Sequence, residues 1–462
     1  MYRRLSEEWS GKRVAVIGLG ISNIALIKVL KEAGAQLSGR DRKSSSELGD
    51  RFQELQSLGI DLVLGSDYLN GLEDYDAVAV SPGVPKDLPE LQAVRERGCL
   101  VSEIGLLFHY SRAPVFAVTG SSGKTTTTSL AGEMFKAGGM STYVGGNIGE
   151  PLIGELDRFR PEDHVLLELS SFQLEDLRKS PHGAVITNIA ENHLDVHHTM
   201  ENYVSAKQNI YRYQKDSDFL VLNYDDPVTR AMADEAPGRV FFFSLKERVK
   251  PGAYLSGDDL VLSDGAGEQF FARRTELLLP GEHNVANFLA AALLSHVAGA
   301  GLEAIRQVGR TFTGVPHRLE LVAEVDGVKY YNDSIATTPD RTIAALRSFA
   351  KPPILIAGGS DKQLSFDKLG CAVHSGVRHL ILLGATAPKI RRAVLDAGGV
   401  SLHEVEDLEA AVPLAKELAE PGDVVLLSPA SASFDQYANF MARGEHFRAL
   451  VAKLQSESAG GD

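Results

Sequence analysis

A lysine followed by four threonines, Lys124 to Thr128, stands directly after the small-residue run Thr119-Gly120-Ser121-Ser122-Gly123. An ammonium at such a place reaches the outer phosphates of a nucleotide, and the hydroxyl beside it, here Thr125, can ligate Mg²⁺. The backbone around them must then be an anion site. Val115 to Val118 is apolar and β-branched and reads as a buried strand. Lys124 to Ala137 has helical spacing, with Leu130, Met134 and Phe135 on one side. Strand, glycine turn and helix N-terminus together aim free N–H groups and the positive end of the helix dipole at a bound anion. The motif is shorter than the full Walker pattern, because Val118 stands where the long form has its first glycine.

Other reactive side chains stand at similar strand ends. Glu168 closes the apolar run from His164 to Leu169, and a carboxylate there is costly unless paired or bound to a metal. The strand Ala184 to Asn188 leads to Glu191-Asn192-His193-Leu194-Asp195, and a helical stretch from Met200 to Tyr213 carries Lys207. On spacing alone His193 and Lys207 read as surface side chains. Asn284 and Asn287 share one face of a helix opening near Ala286, consistent with an N-cap and a surface amide. Near the start, the strand from Lys12 runs into Gly18-Leu-Gly20-Ile21-Ser22-Asn23, with Asp41 about 20 positions on. The dinucleotide fingerprint has a third glycine where Asn23 stands. A nicotinamide oxidoreductase therefore rests on little, while a phosphate or pyrophosphate near Gly18–Ser22 is expected. Ser81-Pro82-Gly83-Val84-Pro85 is a rigid turn after the strand Asp76 to Val80.

The elements that must hold these residues alternate strand and helix, which predicts parallel sheets covered by helices. A chain of 462 residues, 44% hydrophobic, divides into several domains. The expected boundaries are 1–102, 103–314 and 315–462. Residues 239–280 read as an antiparallel addition to the central sheet. Leu319 to Asn332 reads as a hairpin turning at Asp326-Gly327. Strands over Pro353–Gly358, His379–Gly384 and Val424–Ser428 follow. The net charge of −14 without a long basic run argues against nucleic acid as a partner. The two cysteines, Cys99 and Cys371, are expected as ordinary buried thiols in a reducing compartment. Met-Tyr-Arg-Arg-Leu-Ser is followed by no apolar stretch, and no segment approaches the roughly 20 apolar residues that span a bilayer. The cytoplasm and no membrane partner are expected.

Taken in order, Thr119–Thr126, Asn147, Glu168-Leu-Ser-Ser-Phe-Gln173, Asn192-His193, Lys207, His283-Asn284, Pro316-His317-Arg318, Asn332-Asp333-Ser334 and Leu427-Ser-Pro-Ala430 resemble the Mur ligases, the ATP-dependent amide-forming enzymes of peptidoglycan precursor synthesis. The ending Ser-Pro-Ala-Ser-Ala-Ser-Phe-Asp-Gln-Tyr, with Asn439-Phe440 and Arg443-Gly444, is similar to the MurD type, which adds glutamate to UDP-N-acetylmuramoyl-L-alanine. The resemblance covers essentially the whole chain. It implies a Rossmann-like N-terminal domain, a central P-loop ATPase-like parallel sheet and a C-terminal Rossmann-like α/β domain, acting as a monomer.

The resemblance also implies roles. Gly120, Ser121, Ser122, Gly123, Lys124, Thr125, Thr126, Asn284, Asn287, Arg318 and Asp333 would bind ATP. Gly20, Ile21, Ser22, Asp41, Arg42, Ser81, Gly83, Asn147 and His193 would hold the uridine-diphosphate substrate. Thr337, Lys362, Ser433, Phe434 and Phe440 would take glutamate. Thr125, Glu168, His193 and an N-carbamylated Lys207 would serve two Mg²⁺ ions, and Lys124, His193 and Lys207 would be catalytic. One position departs: the type reads Asn-Asp-Ser-Lys-Ala-Thr, whereas Ile335 follows Ser334 here. D-glutamate is the expected substrate, and L-glutamate is the alternative. An ATPase or nucleotide-binding regulator without ligation would keep Lys124 and Thr125 but would not need Glu168, His193 and Lys207 as a second metal set, nor the loop around Ser433.

Overall fold

The computed structural model describes residues 2–265, 267–361 and 364–459. Its first sheet contains β1 (Arg13–Ile17), β2 (Gln36–Asp41), β3 (Asp61–Leu64), β4 (Ala77–Val80) and β5 (Leu100–Val101), in the order 3-2-1-4-5. Every pairing is parallel. Val14 to Ile17 and Ala77 to Val80 are buried throughout, as strands covered by helices on both faces must be. The strand order reverses between β1 and β4, so the turns after those strands flank one crevice.

The second sheet runs through β6 (Val115–Thr119), β7 (Thr142–Gly146), β8 (His164–Glu168), β9 (Gly183–Ile186), β10 (Phe219–Asn223), β11 (Arg239–Ser244), β12 (Gly252–Ser256), β13 (Asp259–Ser263) and β14 (Glu268–Arg273). Their order is 14-13-12-11-10-9-6-8-7, which puts β6 between β9 and β8. Residues 239–280 are only partly the antiparallel addition expected from sequence. β11 pairs in parallel with β10, and β12 pairs in parallel with β11. The connection over residues 245–251 is long enough, at about 3.3 Å per residue, to carry the chain back along a short strand. Antiparallel pairing begins at β13, after the tight turn through Gly257.

The third sheet contains β15 (Glu320–Val325), β16 (Val328–Asn332), β17 (Ile354–Gly358), β18 (His379–Leu383), β19 (Ser401–Glu404) and β20 (Val424–Leu427), in the order 15-16-20-17-18-19. The β15–β16 hairpin turns where the sequence places it. Asp326 and Gly327 both have left-handed φ, 53° and 77°, as a two-residue turn matching strand twist requires. β20 inserts between β16 and β17, so the loops after these three strands meet at one sheet edge.

The chain forms two compact units, one through Glu276 with Ala286–Arg310, the other Leu277–Val285 with Thr311 onward. In the first, a continuous apolar cluster runs from Trp9, Leu26 and Ile27 to Ile104, Leu167 and Leu174 and joins the first two sheets. In the second, separate clusters cover the two sides of the third sheet. Neither cysteine is the buried thiol expected. Cys99 is half-buried just before the short edge strand β5, and Cys371 is exposed on the outer side of the helix Asp367–Gly376.

Candidate active site

The turn between β6 and the helix Lys124–Ala137 is held open by two glycines. Gly120 has φ 149°, and a Cβ there would overlap Thr187 Oγ1; Gly123 has φ 77°, and a Cβ there would overlap Asn287 Oδ1. The turn is braced from the end of β9. Ser121 N donates to Asn188 O at 2.9 Å, Ser122 N to Asn188 Oδ1 at 3.1 Å, and Thr187 Oγ1 to Ser122 O at 2.6 Å. Lys124 Nζ folds back over the turn to the carbonyls of Gly120 (3.0 Å) and Ser121 (3.2 Å). Thr125 and Thr126 are buried in the first helical turn, and Thr127 Oγ1 donates to Asn287 Oδ1 at 3.4 Å. Thr187 and Asn188 do not stand out in the sequence. The one available signal was an amide at the end of an apolar strand beside the glycine turn.

Glu168 ends β8, in register with Val118 of β6, and is 2% exposed. One carboxylate oxygen accepts Asn147 Nδ2 at 2.8 Å, while Oε2 is buried with no hydrogen-bond partner. An orphaned anionic oxygen beside a phosphate turn suits a hard divalent cation. Asn147, expected on the uridine-diphosphate substrate, is thus brought to Glu168, and its own N–H donates to Glu168 O at 2.8 Å.

Lys207 is not the surface lysine that helical spacing suggests. It is 1% exposed, and its Nζ donates to Gly120 O at 2.9 Å and Thr119 Oγ1 at 3.2 Å. The amine also lies over the Tyr203 ring, 4.8 Å from its centroid. Burial, then the neighbouring charge of Lys124, hold its pKa well below the ordinary lysine value, with Glu168 opposing. The shift favours the neutral amine, the form whose nitrogen is nucleophilic.

His193 is exposed, with a left-handed φ of 55° at the start of a short helix, and meets the Phe172 ring edge-on at 5.0 Å. Phe172 is stacked on its other neighbour, His197, at 5.1 Å, and Ser171 Oγ lies 2.9 Å from His197 Nε2. Lys86, buried, donates to Phe172 O at 2.7 Å and pairs with Asp176 at 2.9 Å. The turn following β4 is in this way tied to the segment carrying Phe172.

In the first sheet, Gly20 caps the helix Ile21–Glu32, leaving Ile21 60% exposed and Ser22 half-buried at its N-terminus. Asn23 explains the missing third glycine. Its Nδ2 donates to the carbonyls of Ile17 and Gly18, both at 2.9 Å, closing the turn with a buried side chain. Asp41 holds the same turn from β2, accepting Leu19 N at 2.7 Å, while Arg42 is exposed beside it. A Cβ on Gly18 would come to 2.7 Å from Ser81 Cβ, so the Gly18 and Ser81–Gly83 turns lie against each other.

In the second unit, Asp333 is buried and accepts Ser428 Oγ at 2.7 Å and Leu319 N at 3.2 Å. Burial pushes its carboxyl up to about 7, against Ser428, Leu319, Arg318 and Arg341. Ser433 is buried, Phe434 is 71% exposed, Thr337 is half-buried, and Phe440 meets His317 edge-on at 6.2 Å. Asn284 anchors its amide on Pro280 O at 2.7 Å. Lys362 lies outside the described residues. Arg443, named in the sequence only as part of the MurD-type ending, joins this loop cluster by donating to Ser334, 109 positions away.

Comparison with known proteins accounts for all three sheets. Residues 12–103 match the MurD-like N-terminal domain of Mur ligases, residues 118–295 the Mur ligase middle domain, and residues 317–431 the Mur ligase glutamate ligase domain. The chain is 51% identical to the UDP-N-acetylmuramoylalanine--D-glutamate ligase of Symbiobacterium thermophilum, over 96% of this chain and 98% of that one. It is 46% identical to the protein of the same name from Acetivibrio thermocellus, over 96% and 97%. Among solved structures, UDP-N-acetylmuramate-alanine ligase MurC of Thermotoga maritima superposes with a TM-score of 0.58 at 20% identity, covering 96% of this chain and all (100%) of that one. MurF of Acinetobacter baumannii gives 0.57 at 19%, covering 99% and 92%; at these identities the likeness concerns the fold. The three-domain α/β fold and the full-length relatives together make this chain a member of the Mur ligase family, of the MurD type.

Proposed function

We propose that the protein is an ATP-dependent ligase that adds D-glutamate to UDP-N-acetylmuramoyl-L-alanine in peptidoglycan precursor synthesis, working in the cytoplasm. The observation that carries the reading is the meeting of the phosphate turn, Glu168 and the buried Lys207 amine at the ends of β6 and β8. A simple ATPase or nucleotide-binding module uses Lys124, Thr125 and one acidic metal ligand such as Glu168, but has no use for a second, buried lysine amine on the same turn. On this reading residues 1–102 bind the uridine-diphosphate substrate through Gly20, Ile21, Ser22, Asp41, Arg42, Ser81 and Gly83. Residues 103–314 bind ATP, and residues 315–462 bind the amino acid through Thr337, Lys362, Ser433, Phe434 and Phe440. Asn284, Asn287, Arg318 and Asp333 are the further residues proposed to contact ATP.

The substrate carboxylate is a poor electrophile. Its oxygen attacks the γ-phosphorus of ATP, the β,γ-bridging bond breaks, and an acyl phosphate and ADP result. The amine of glutamate then attacks the acyl carbon, loses a proton, and inorganic phosphate leaves as the amide forms. Lys124 and the N–H groups of the glycine turn stabilise charge on the transferred phosphoryl group. Mg²⁺, when bound, supplies charge neutralisation and alignment of the phosphates. Thr125, Glu168, His193 and a modified Lys207 are the residues that would hold it. Among the described residues no cluster of three His, Cys, Asp or Glu side chains stands preassembled, so phosphate, hydroxyl and carbamate oxygens would complete the shell.

The modification is a carbamate. The neutral amine of Lys207 attacks the carbon of CO₂, a C–N bond forms, and the released proton leaves an anionic carbamate. Such a group suits a buried site beside cations, where an ammonium would be repelled. On this reading His193, exposed beside Phe172, serves as a metal or substrate ligand. The test is mass spectrometry of products from UDP-N-acetylmuramoyl-L-alanine, ATP and either D- or L-glutamate. Formation of the D-glutamyl product together with ADP and phosphate is expected. ADP release independent of the amino acid would refute ligation, and tenfold faster turnover with L-glutamate, about 1.4 kcal/mol in barrier, would reverse the stereochemical assignment.

A further inference from the structure

The guanidinium of Arg443 is 1% exposed yet meets no carboxylate in a hydrogen bond. Its Nε donates to Ser334 Oγ at 3.0 Å, Nη1 to Ala432 O at 3.1 Å, and Nη2 to Ser334 O at 2.9 Å and Ser431 O at 3.1 Å. Burial draws its pKa down to about 10, with Asp435 and Tyr437 opposing, so it remains a cation at neutral pH. Carbonyl and hydroxyl dipoles satisfy its N–H groups, and its charge is opposed only from a distance by Asp435, with no direct ion pair among the described residues, a costly arrangement for a buried ion.

The loops it joins are those that follow β16 and β20. Ala432 O also accepts Ser360 N at 2.8 Å, which adds the loop after β17, and Ser334 Oγ donates to Phe440 O at 2.8 Å. A Cβ on Gly359 would stand 3.0 Å from Nη1, so the third loop is closed tightly over the guanidinium. These three strand ends flank the switch in strand order, where open α/β sheets take their ligands.

We infer that Arg443 is a positioning and specificity residue for the amino-acid substrate: it fixes the three loops in register, and its charge, held by dipoles rather than by a direct ion pair, favours a dianionic amino acid over the corresponding amide. This rests on assigning these loops to glutamate. A fixed cation in a low-dielectric setting acts across a layer of backbone, and a site built around such a charge rejects a neutral isostere strongly.

The test compares wild type, Arg443→Lys and Arg443→Met. For each, kcat and KM are measured with D-glutamate and with D-glutamine. Acyl-phosphate formation is measured separately, without amino acid, by hydroxylamine trapping. Arg443→Met is expected to raise KM for D-glutamate by about 100-fold and to cut the D-glutamate to D-glutamine ratio of kcat/KM by about tenfold or more. Trapping should stay within about twofold of wild type, since that half-reaction precedes the amino acid. Arg443→Lys should recover most of the ratio. Equal loss in trapping, an unchanged ratio, or failure of both variants to fold would assign Arg443 to the fold alone and overturn the inference. Wild-type turnover that ignores glutamate would instead overturn the ligase reading.

Discussion

Lys207→Met is expected to make the protein more stable and nearly inactive. The side chains are of similar length, so the change removes the amine and leaves the packing against Tyr203. Two hydrogen bonds are lost, each worth about 1 kcal/mol net. Neither partner is orphaned: Thr119 Oγ1 still donates to Leu169 O at 2.7 Å, and Gly120 O still accepts Lys124 Nζ at 3.0 Å. Against that loss stands the cost of burying an amine beside a second lysine. Replacing buried ionic groups by apolar ones of like volume commonly stabilises by about 1 to 4 kcal/mol. The sign of the pH dependence is fixed by the lowered pKa. The unfolded chain binds this proton over a range in which the folded chain does not, so wild-type stability rises with pH until the ordinary lysine value is passed. The gain from Lys207→Met is therefore largest at neutral pH and fades in alkali. Calorimetry in bicarbonate-free buffer should show an increase of a few degrees, at roughly 1 to 2 °C per kcal/mol for a unit of this size. Turnover, followed as ADP release with all three substrates, should fall at least about 100-fold, or 2.7 kcal/mol. A variant that melts lower and keeps its turnover would show that Lys207 is a structural lysine and remove the basis for the carbamate.

Glu168→Gln should leave folding intact, because Asn147 can still donate to the remaining carbonyl oxygen, while turnover drops about 100-fold and the Mg²⁺ requirement moves to higher concentration; an unchanged Mg²⁺ titration would exclude Glu168 as a ligand. Gly120→Ala places a methyl group on Thr187 Oγ1 at a φ that side chains avoid, which should cost about 1 to 3 kcal/mol and abolish ATP binding by calorimetry; wild-type ATP affinity would refute the bracing of the turn from β9. Glu103 sits buried with one oxygen unpartnered, and burial raises its carboxyl to about 7. Its folded pKa exceeds the unfolded one, so wild-type stability is lost as pH rises from about 4.5 through 7. Glu103→Gln should flatten that decline and gain about 3 kcal/mol at pH 8, and urea midpoints that fall in parallel for both proteins would refute it.

What was legible in the sequence is what is local. Glycine, lysine and threonine signal the phosphate turn because strand end, turn and helix start are adjacent in the chain. The helix Lys124–Ala137 and the Asp326-Gly327 hairpin follow from the same short-range rules. The burial of Lys207 was illegible because its partners, Thr119 and Gly120, lie 88 and 87 positions away, and a single helix cannot reveal which of its faces another strand end will cover. Arg443 was legible as part of the MurD-type ending, but its burial against Ser334, 109 positions away, was hidden for the same reason. The parallel pairing of β11 and β12 was missed because a connection as short as residues 245–251 ordinarily reads as a hairpin loop, parallel neighbours usually needing a longer crossover.

Departures from a family pattern become readable once backbone bonds are known. Asn23 occupies a glycine position of the dinucleotide fingerprint, and its amide closes the turn from within, which leaves no reason to invoke a nicotinamide cofactor. Ile335 takes the place of a lysine. Its N–H donates to His317 O at 3.0 Å and its carbonyl accepts Arg341 Nη1 at 3.1 Å. Both bonds belong to the backbone, so the turn keeps its shape whichever side chain it carries. Arg341 brings a positive charge to the same turn, and that charge also acts on the buried Asp333 carboxyl. With Ile335 in place of a lysine, the turn thus still carries a cation in Arg341, which suits an anionic amino acid, in keeping with D-glutamate ligases that are 51% and 46% identical to this chain.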